Sequence, residues 1–223
     1  MNSEININTK FIVLSGIDGS GKSTQLDLIK DYYIKNGKSV INLWTRGGST
    51  PGINALKSFI RKFAGKRLPP AGHSEKRDRM FATSWVQNVW ITLSILDLLR
   101  IYSISVRWWI LTRRVVICDR YLWDTYIDFT IMFPNINIDD WFLWKLLVKC
   151  SPAPQKSALL MISMELSEER CSNKFDPFPD TPEIRKIRYQ LYKAASNKKH
   201  WDVINASESI DSVFRNIMNK DID

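Results

Sequence analysis

Residues 16–23, Gly-Ile-Asp-Gly-Ser-Gly-Lys-Ser, match the spacing G-x-x-x-x-G-K-[ST]. Glycines let a backbone curl until several N–H groups converge on one anion. A helix starting at the lysine aims its positive end at the same point. Lys22 can then neutralise terminal phosphates, and Ser23 can offer its hydroxyl to a divalent cation. Gly16, Asp18, Gly19, Ser20, Gly21, Lys22, Ser23 and Thr24 form the expected nucleotide-binding set. Asp18 differs in kind: a carboxylate inside an anion cradle repels phosphate, so it needs a donor or a metal on the acceptor side.

A second anion site is marked by Asp119 and Arg120, which end the apolar run VVIC, and by Arg46, which follows the run SVINLW and Thr45. A charge directly at the end of a buried strand is rarely idle. Two anion sites and a basic cover that excludes water are what a small-molecule kinase needs. The polar segment 170–188 carries Arg170, Lys174, Arg185, Lys186 and Arg188 and suits such a cover, with the lid itself expected at about 170–183. A GTP switch would need a guanine reader, and Asn173-Lys174-Phe175-Asp176 spells one literally. It follows polar SEERCS rather than a buried strand, which marks a chance match.

The elements that must hold these residues alternate. FIVLS (11–15), SVINLW (39–44), VVIC (115–118), ALLMISM (158–164) and WDVINAS (201–207) are expected strands. Helical spacing is expected over 22–36, 53–64, a long region 74–112, 121–132, 139–149, a short stretch from 167, 183–197, and SIDSVFRNIM near the end. This alternation predicts an α/β fold, a parallel sheet covered on both faces, in one domain spanning 1–223. Ligands in such sheets bind beyond the carboxyl ends of the strands, where the glycine loop and Asp119-Arg120 both fall.

Bulk composition agrees. The chain has 223 residues, 44% of them hydrophobic, enough for one folded core. The net charge of +9 favours anionic partners, and the dispersal of the cations makes small phosphorylated ligands a sufficient explanation, with no nucleic acid expected. Three cysteines without metal spacing, Cys118, Cys150 and Cys171, are expected as free thiols in a reducing, cytoplasmic setting. His73 and His200 stand alone and are expected at the surface or in packing. MNSEININTK has no apolar core and is not a secretory signal. Residues 91–111 have the length of a membrane span, but they contain Asp97, Arg100 and Arg107 and are expected to pack on protein.

The segments GIDGSGKSTQ, TRGGSTPG, FATSWVQ, VVICDRY and WDVINASESIDSVFRNI, in that order, make the chain resemble the thymidylate kinase family over most of its length. The resemblance implies a P-loop NTPase of the adenylate-kinase type: a five-stranded parallel sheet flanked by helices, with a lid. It implies ATP and Mg²⁺, transfer to a nucleoside monophosphate with dTMP first, and a homodimer built on long helices, for which the Trp-rich helix is the candidate face. It also implies roles. Lys22 and Ser23 would hold ATP and Mg²⁺, and Asp119 would place the metal or its waters. Asp18 would touch the acceptor's sugar or its metal shell. Arg46 and Arg120 would grip the acceptor phosphate, and Phe81 would stack on the base. Because the loop carries Ser20 and no arginine, the catalytic arginine falls to the lid, Arg170 before Lys174.

The chain also departs from the family pattern. Trp85 stands where the family has a base-reading arginine, and an indole lacks that guanidinium's hydrogen bonds. Asp128 stands where a tyrosine closes on the sugar, Asp124 adds a carboxylate, and Gly47 replaces a glutamate. Phosphate-handling parts are kept while base- and sugar-reading parts differ. Two further readings follow. One is the same kinase fold acting on another nucleotide or a sugar, with Trp85, Asp124 and Asp128 at the acceptor. The other is a nucleotide-binding regulatory protein without turnover.

Overall fold

A computed structural model describes residues 8–45, 83–172, 180–197 and 201–219. The five strands are β1 (Phe11–Gly16), β2 (Val40–Trp44), β3 (Val115–Asp119), β4 (Lys156–Met161) and β5 (Asp202–Asn205). They form one sheet in the order β2-β3-β1-β4-β5, every pair parallel. β1 is central and buried on both faces, which is why it reads as an uninterrupted apolar run. Its side chains alternate. Ile12 and Leu14 join one core with Ile117, Leu26, Ile29, Tyr192 and Ile217, while Phe11 and Val13 join the other with Val116, Ile95, Tyr102, Phe129 and Leu147.

The helices are α1 (Lys22–Lys35), α2 (Ser84–Leu111), α3 (Leu122–Met132), α4 (Phe142–Cys150), α5 (Met164–Ser172), α6 (Pro182–Ser196) and α7 (Ile210–Asn219). α2 is α-helical except over Arg100–Val106, where it widens to π geometry. Leu98, Tyr102 and Val106, four apart, all point into the core there. By length and composition α2 could cross a membrane. Its inner side, Ile91, Ile95, Leu98, Ile101, Tyr102 and Val106, is instead buried in this domain, and Asp97 is bound by Arg100 at 2.8 Å.

Several boundaries differ from those expected. β4 starts earlier and stops earlier than 158–164, because Lys156 is buried at its start, its ammonium bonded to the Met218 carbonyl at 2.5 Å. Ile162-Ser163 ends the strand, and α5 begins at Met164 rather than at 167. β5 and α4 are shorter than 201–207 and 139–149, Ile138–Asp140 being a separate 3₁₀ turn. All three cysteines are free thiols. The expected helix 53–64, the stretch 74–82, Asn173–Asp176, His73 and His200 lie outside the described residues.

Candidate functional site

The loop between β1 and α1 works because glycine is required at it. Gly16 has φ +142°, and a Cβ there would stand 2.4 Å from the Leu160 carbonyl oxygen of the neighbouring strand. Gly21 caps α1 at φ +84° with no side chain bonded to the first turn and no acidic residue in it, so the helix presents bare N–H groups toward the loop. Ser23 and Thr24 sit exposed in that turn, while Ser20 is buried and its hydroxyl has no partner.

Lys22 is buried, and its ammonium donates to the carbonyls of Gly16 and Ile17, both at 2.8 Å. Burial first, then the neighbouring Arg120 charge, lowers its pKa to about 8 against the pull of Asp18, Asp119 and Asp124. α5 lies against the same loop. Ser167 donates to the Asp18 carbonyl at 2.7 Å, and Arg170 donates to the Gly19 carbonyl at 3.1 Å. Arg170 is thus seated on the phosphate loop, at the end of the helix that leads into residue 173.

β3 delivers the second group. Asp119 is partly buried, its Oδ1 has no partner, and burial raises its pKa while Lys22 and Arg120 lower it. Arg120 turns the chain at φ +75°, one of two described non-glycine residues with positive φ. Such strain, about 1 kcal/mol, collects at functional sites where the surroundings enforce it. The enforcement is visible. The Arg120 N–H donates to Leu14 O at 2.9 Å, and its carbonyl accepts from the Thr45 hydroxyl at 3.0 Å. Thr45, fully buried, is in turn bonded to the Tyr102 hydroxyl of the π segment at 2.6 Å. The guanidinium reaches Asp18 at 2.7 Å and Tyr192 at 3.3 Å.

The two carboxylates expected at the acceptor are held by protein groups. Asp124 is fully buried. Its Oδ2 accepts from the Ser15 hydroxyl and from the Tyr121 N–H that begins α3, and its Oδ1 accepts from Tyr192. Asp128, also buried, accepts from Arg188 at 2.7 Å. Arg188 is among the cations expected in the cover segment 170–188. It lies instead on the inner face of α6, bonded to Asp128 and, at 2.7 Å, to Asp180. Trp85 lies in the first turn of α2 and is 67% exposed. Arg46 and Phe81 lie outside the described residues, but Thr45 fixes the chain immediately before Arg46 at the Arg120 carbonyl. Tyr192 was not anticipated. Its signal was the helical spacing of Arg188, Tyr192 and Ala195, three inward positions of α6.

The residues present fit Mg²⁺. Asp119 Oδ1 is an unpartnered oxygen at the strand end, and Ser23 offers an exposed hydroxyl in the first turn of α1. Among the described residues no cluster of three or more His, Cys, Asp or Glu could hold a metal alone. One or two protein ligands beside phosphate oxygens and waters is the usual way Mg²⁺ is bound.

No family model matches the chain. Among curated proteins, the probable thymidylate kinase of Methanococcus aeolicus is 30% identical over 196 residues, covering 88% of this chain and 80% of that protein. The thymidylate kinase of Prochlorococcus marinus is 26% identical over 227 residues, covering 93% of each. A 42-residue segment is 55% identical to the thymidylate kinase of Thermosipho melanesiensis.

Proposed function

We propose that this chain, which belongs to the thymidylate kinase family, transfers the γ-phosphoryl group of ATP to a nucleoside monophosphate, dTMP first. One observation carries the reading. Lys22 of the phosphate loop and Arg120 of the strand end stand 4.0 and 2.7 Å from the same oxygen of Asp18. Two cations suited to two phosphates are thereby held side by side, as direct transfer between phosphates requires.

In this reading the bare N-terminus of α1 and the loop N–H groups hold the donor phosphates, with Lys22 leaving its carbonyl partners for them. Arg120 orients the acceptor phosphate, and Arg46 assists it. The Asp18 carboxylate offsets the mutual repulsion of Arg120 and Lys22. Arg170, on the loop carbonyl, is the cation nearest to hand for the charge that develops during transfer. Ser23 and Asp119 would hold Mg²⁺, which would supply charge neutralisation at the donor phosphates. No protein nucleophile is needed, and a phosphate acceptor needs little general-base help.

We further place the enzyme in the cytoplasm as a single-domain homodimer, its partner copy covering the exposed face of α2. Trp85 supports a second reading, a different nucleotide or a hydroxyl acceptor, because an exposed indole stands where the family pattern has arginine. A coupled ADP-release assay with Mg-ATP and dTMP, dUMP, dCMP, UMP and several sugars separates these readings. Turnover fastest with dTMP is expected. ADP release only with a sugar, or without preference for dTMP, would replace the first reading by the second, and ATP binding without any transfer would sink both.

A further inference from the structure

Asp124 and Arg120 are buried opposite charges that do not touch. Arg120 Nη1 stands 3.9 Å from Asp124 Oδ1. In so dry a setting opposite charges at that distance attract strongly, and a direct arginine–carboxylate bond would be shorter. Tyr192 bridges them. Its hydroxyl gives its one proton to Asp124 Oδ1 and accepts from Arg120 Nη1 at 3.3 Å. The other Asp124 oxygen is already taken by Ser15 and the Tyr121 N–H. The phenol therefore takes up acceptor capacity on the carboxylate oxygen nearest the guanidinium and is itself the partner of Arg120 Nη1.

Resting on the reading that Arg120 holds the acceptor's phosphate, we propose that Tyr192 is a positioning residue: a spacer that keeps the Arg120 guanidinium directed at Asp18 and the acceptor, and off Asp124. The spacer is rigid at both ends. Tyr192 is fully buried on α6, and Arg188, one turn before it, pins α6 to α3 through Asp128 at 2.7 Å. Asp124 sits in the first turn of that same α3. The spacer also keeps its polarity. Burial first, then the Asp124 charge, raises the phenol's pKa well above its ordinary value, so the hydroxyl stays a donor to Asp124 across the working pH range.

Tyr192→Phe removes only the hydroxyl. A crystal structure of this variant should show Arg120 in direct contact with Asp124 and withdrawn from Asp18. Calorimetry should find dTMP bound about ten-fold more weakly, the equivalent of one charge-assisted contact. The KM for dTMP should rise likewise while the KM for ATP changes less than about two-fold. In an Arg120→Ala background the Phe substitution should leave dTMP affinity unchanged, because the group it acts through is gone. Arg120 unmoved with dTMP affinity unchanged overturns the proposal, and so does equal loss of ATP and dTMP binding, which marks a general packing role. Tyr192→Met deletes the same hydroxyl with an adaptable side chain and serves the same tests where the Phe variant does not fold. If the natural chain binds no dTMP, the proposed acceptor fails, and the position of Arg120 in the Phe variant still decides the role of Tyr192.

Discussion

Lys22 is where donor binding and protonation meet. Its ammonium is buried against two carbonyls, and its pKa is lowered to about 8 from 10.5. The folded chain thus holds that proton less tightly than the unfolded chain, so the stability Lys22 contributes rises with pH between about 8 and 10.5. ATP, which needs the charged form, should bind more weakly above pH 8 and take up a proton as it binds. Calorimetry at pH 8.5 in two buffers of different ionisation heat measures that uptake directly. Lys22→Met should lower transfer by at least about 100-fold and should leave the melting temperature equal or higher, because a buried charge is removed. A large fall in melting temperature would show that the ammonium is needed for the loop itself. The loop residues were legible because each has a spacing with a mechanical reason. The role of Tyr192 was not, because it depends on Asp124 and Arg120, which distant parts of the chain bring to its hydroxyl.

At the scale of elements, α3 and α6 are joined by charge inside the fold. Arg188 carries two carboxylates, Asp128 on α3 and Asp180 just before α6. Burial works against its charge, and the two carboxylates more than offset that, raising its pKa. Arg188→Ala should cost about 3–5 kcal/mol, since it strands buried carboxylates, and urea unfolding reads that loss. A loss below about 1 kcal/mol would place Arg188 among solvated surface charges, where the sequence alone had put it. Five strands and most helices were legible from apolar runs and helical spacing. The errors share a cause. Lys156 falls outside the expected strand 158–164 and Arg188 among the expected lid cations because a sequence shows a charge without its buried partner.

Across the whole molecule, the outer side of α2 carries many apolar side chains, interrupted by the exposed Arg100 and Arg107. Trp85, Val89, Leu93 and Leu96 are exposed, as are Ile104, Trp108 and Leu111, the last at 77%. So long a line of exposed apolar side chains on one helix asks for a partner surface. If a second copy of the chain covers it, Leu93→Glu should shift sedimentation from dimer to monomer while leaving the unfolding transition of the monomer cooperative. A natural chain that sediments as a monomer at micromolar concentration would remove the dimer from the reading.

The bond between Lys156 and Met218 has a temporal side. The ammonium at the start of β4 is sealed from water, and its acceptor lies 62 residues downstream, near the end of α7. During synthesis that lysine leaves the ribosome well before its acceptor does. Until α7 arrives, closing the sheet over it would bury the charge without the Met218 carbonyl that receives one of its protons. The β1–β4 seam should therefore stay open in nascent chains and close late, when the last helix docks. Chains stalled before residue 218 should be cut by protease around β4, whereas released chains should resist.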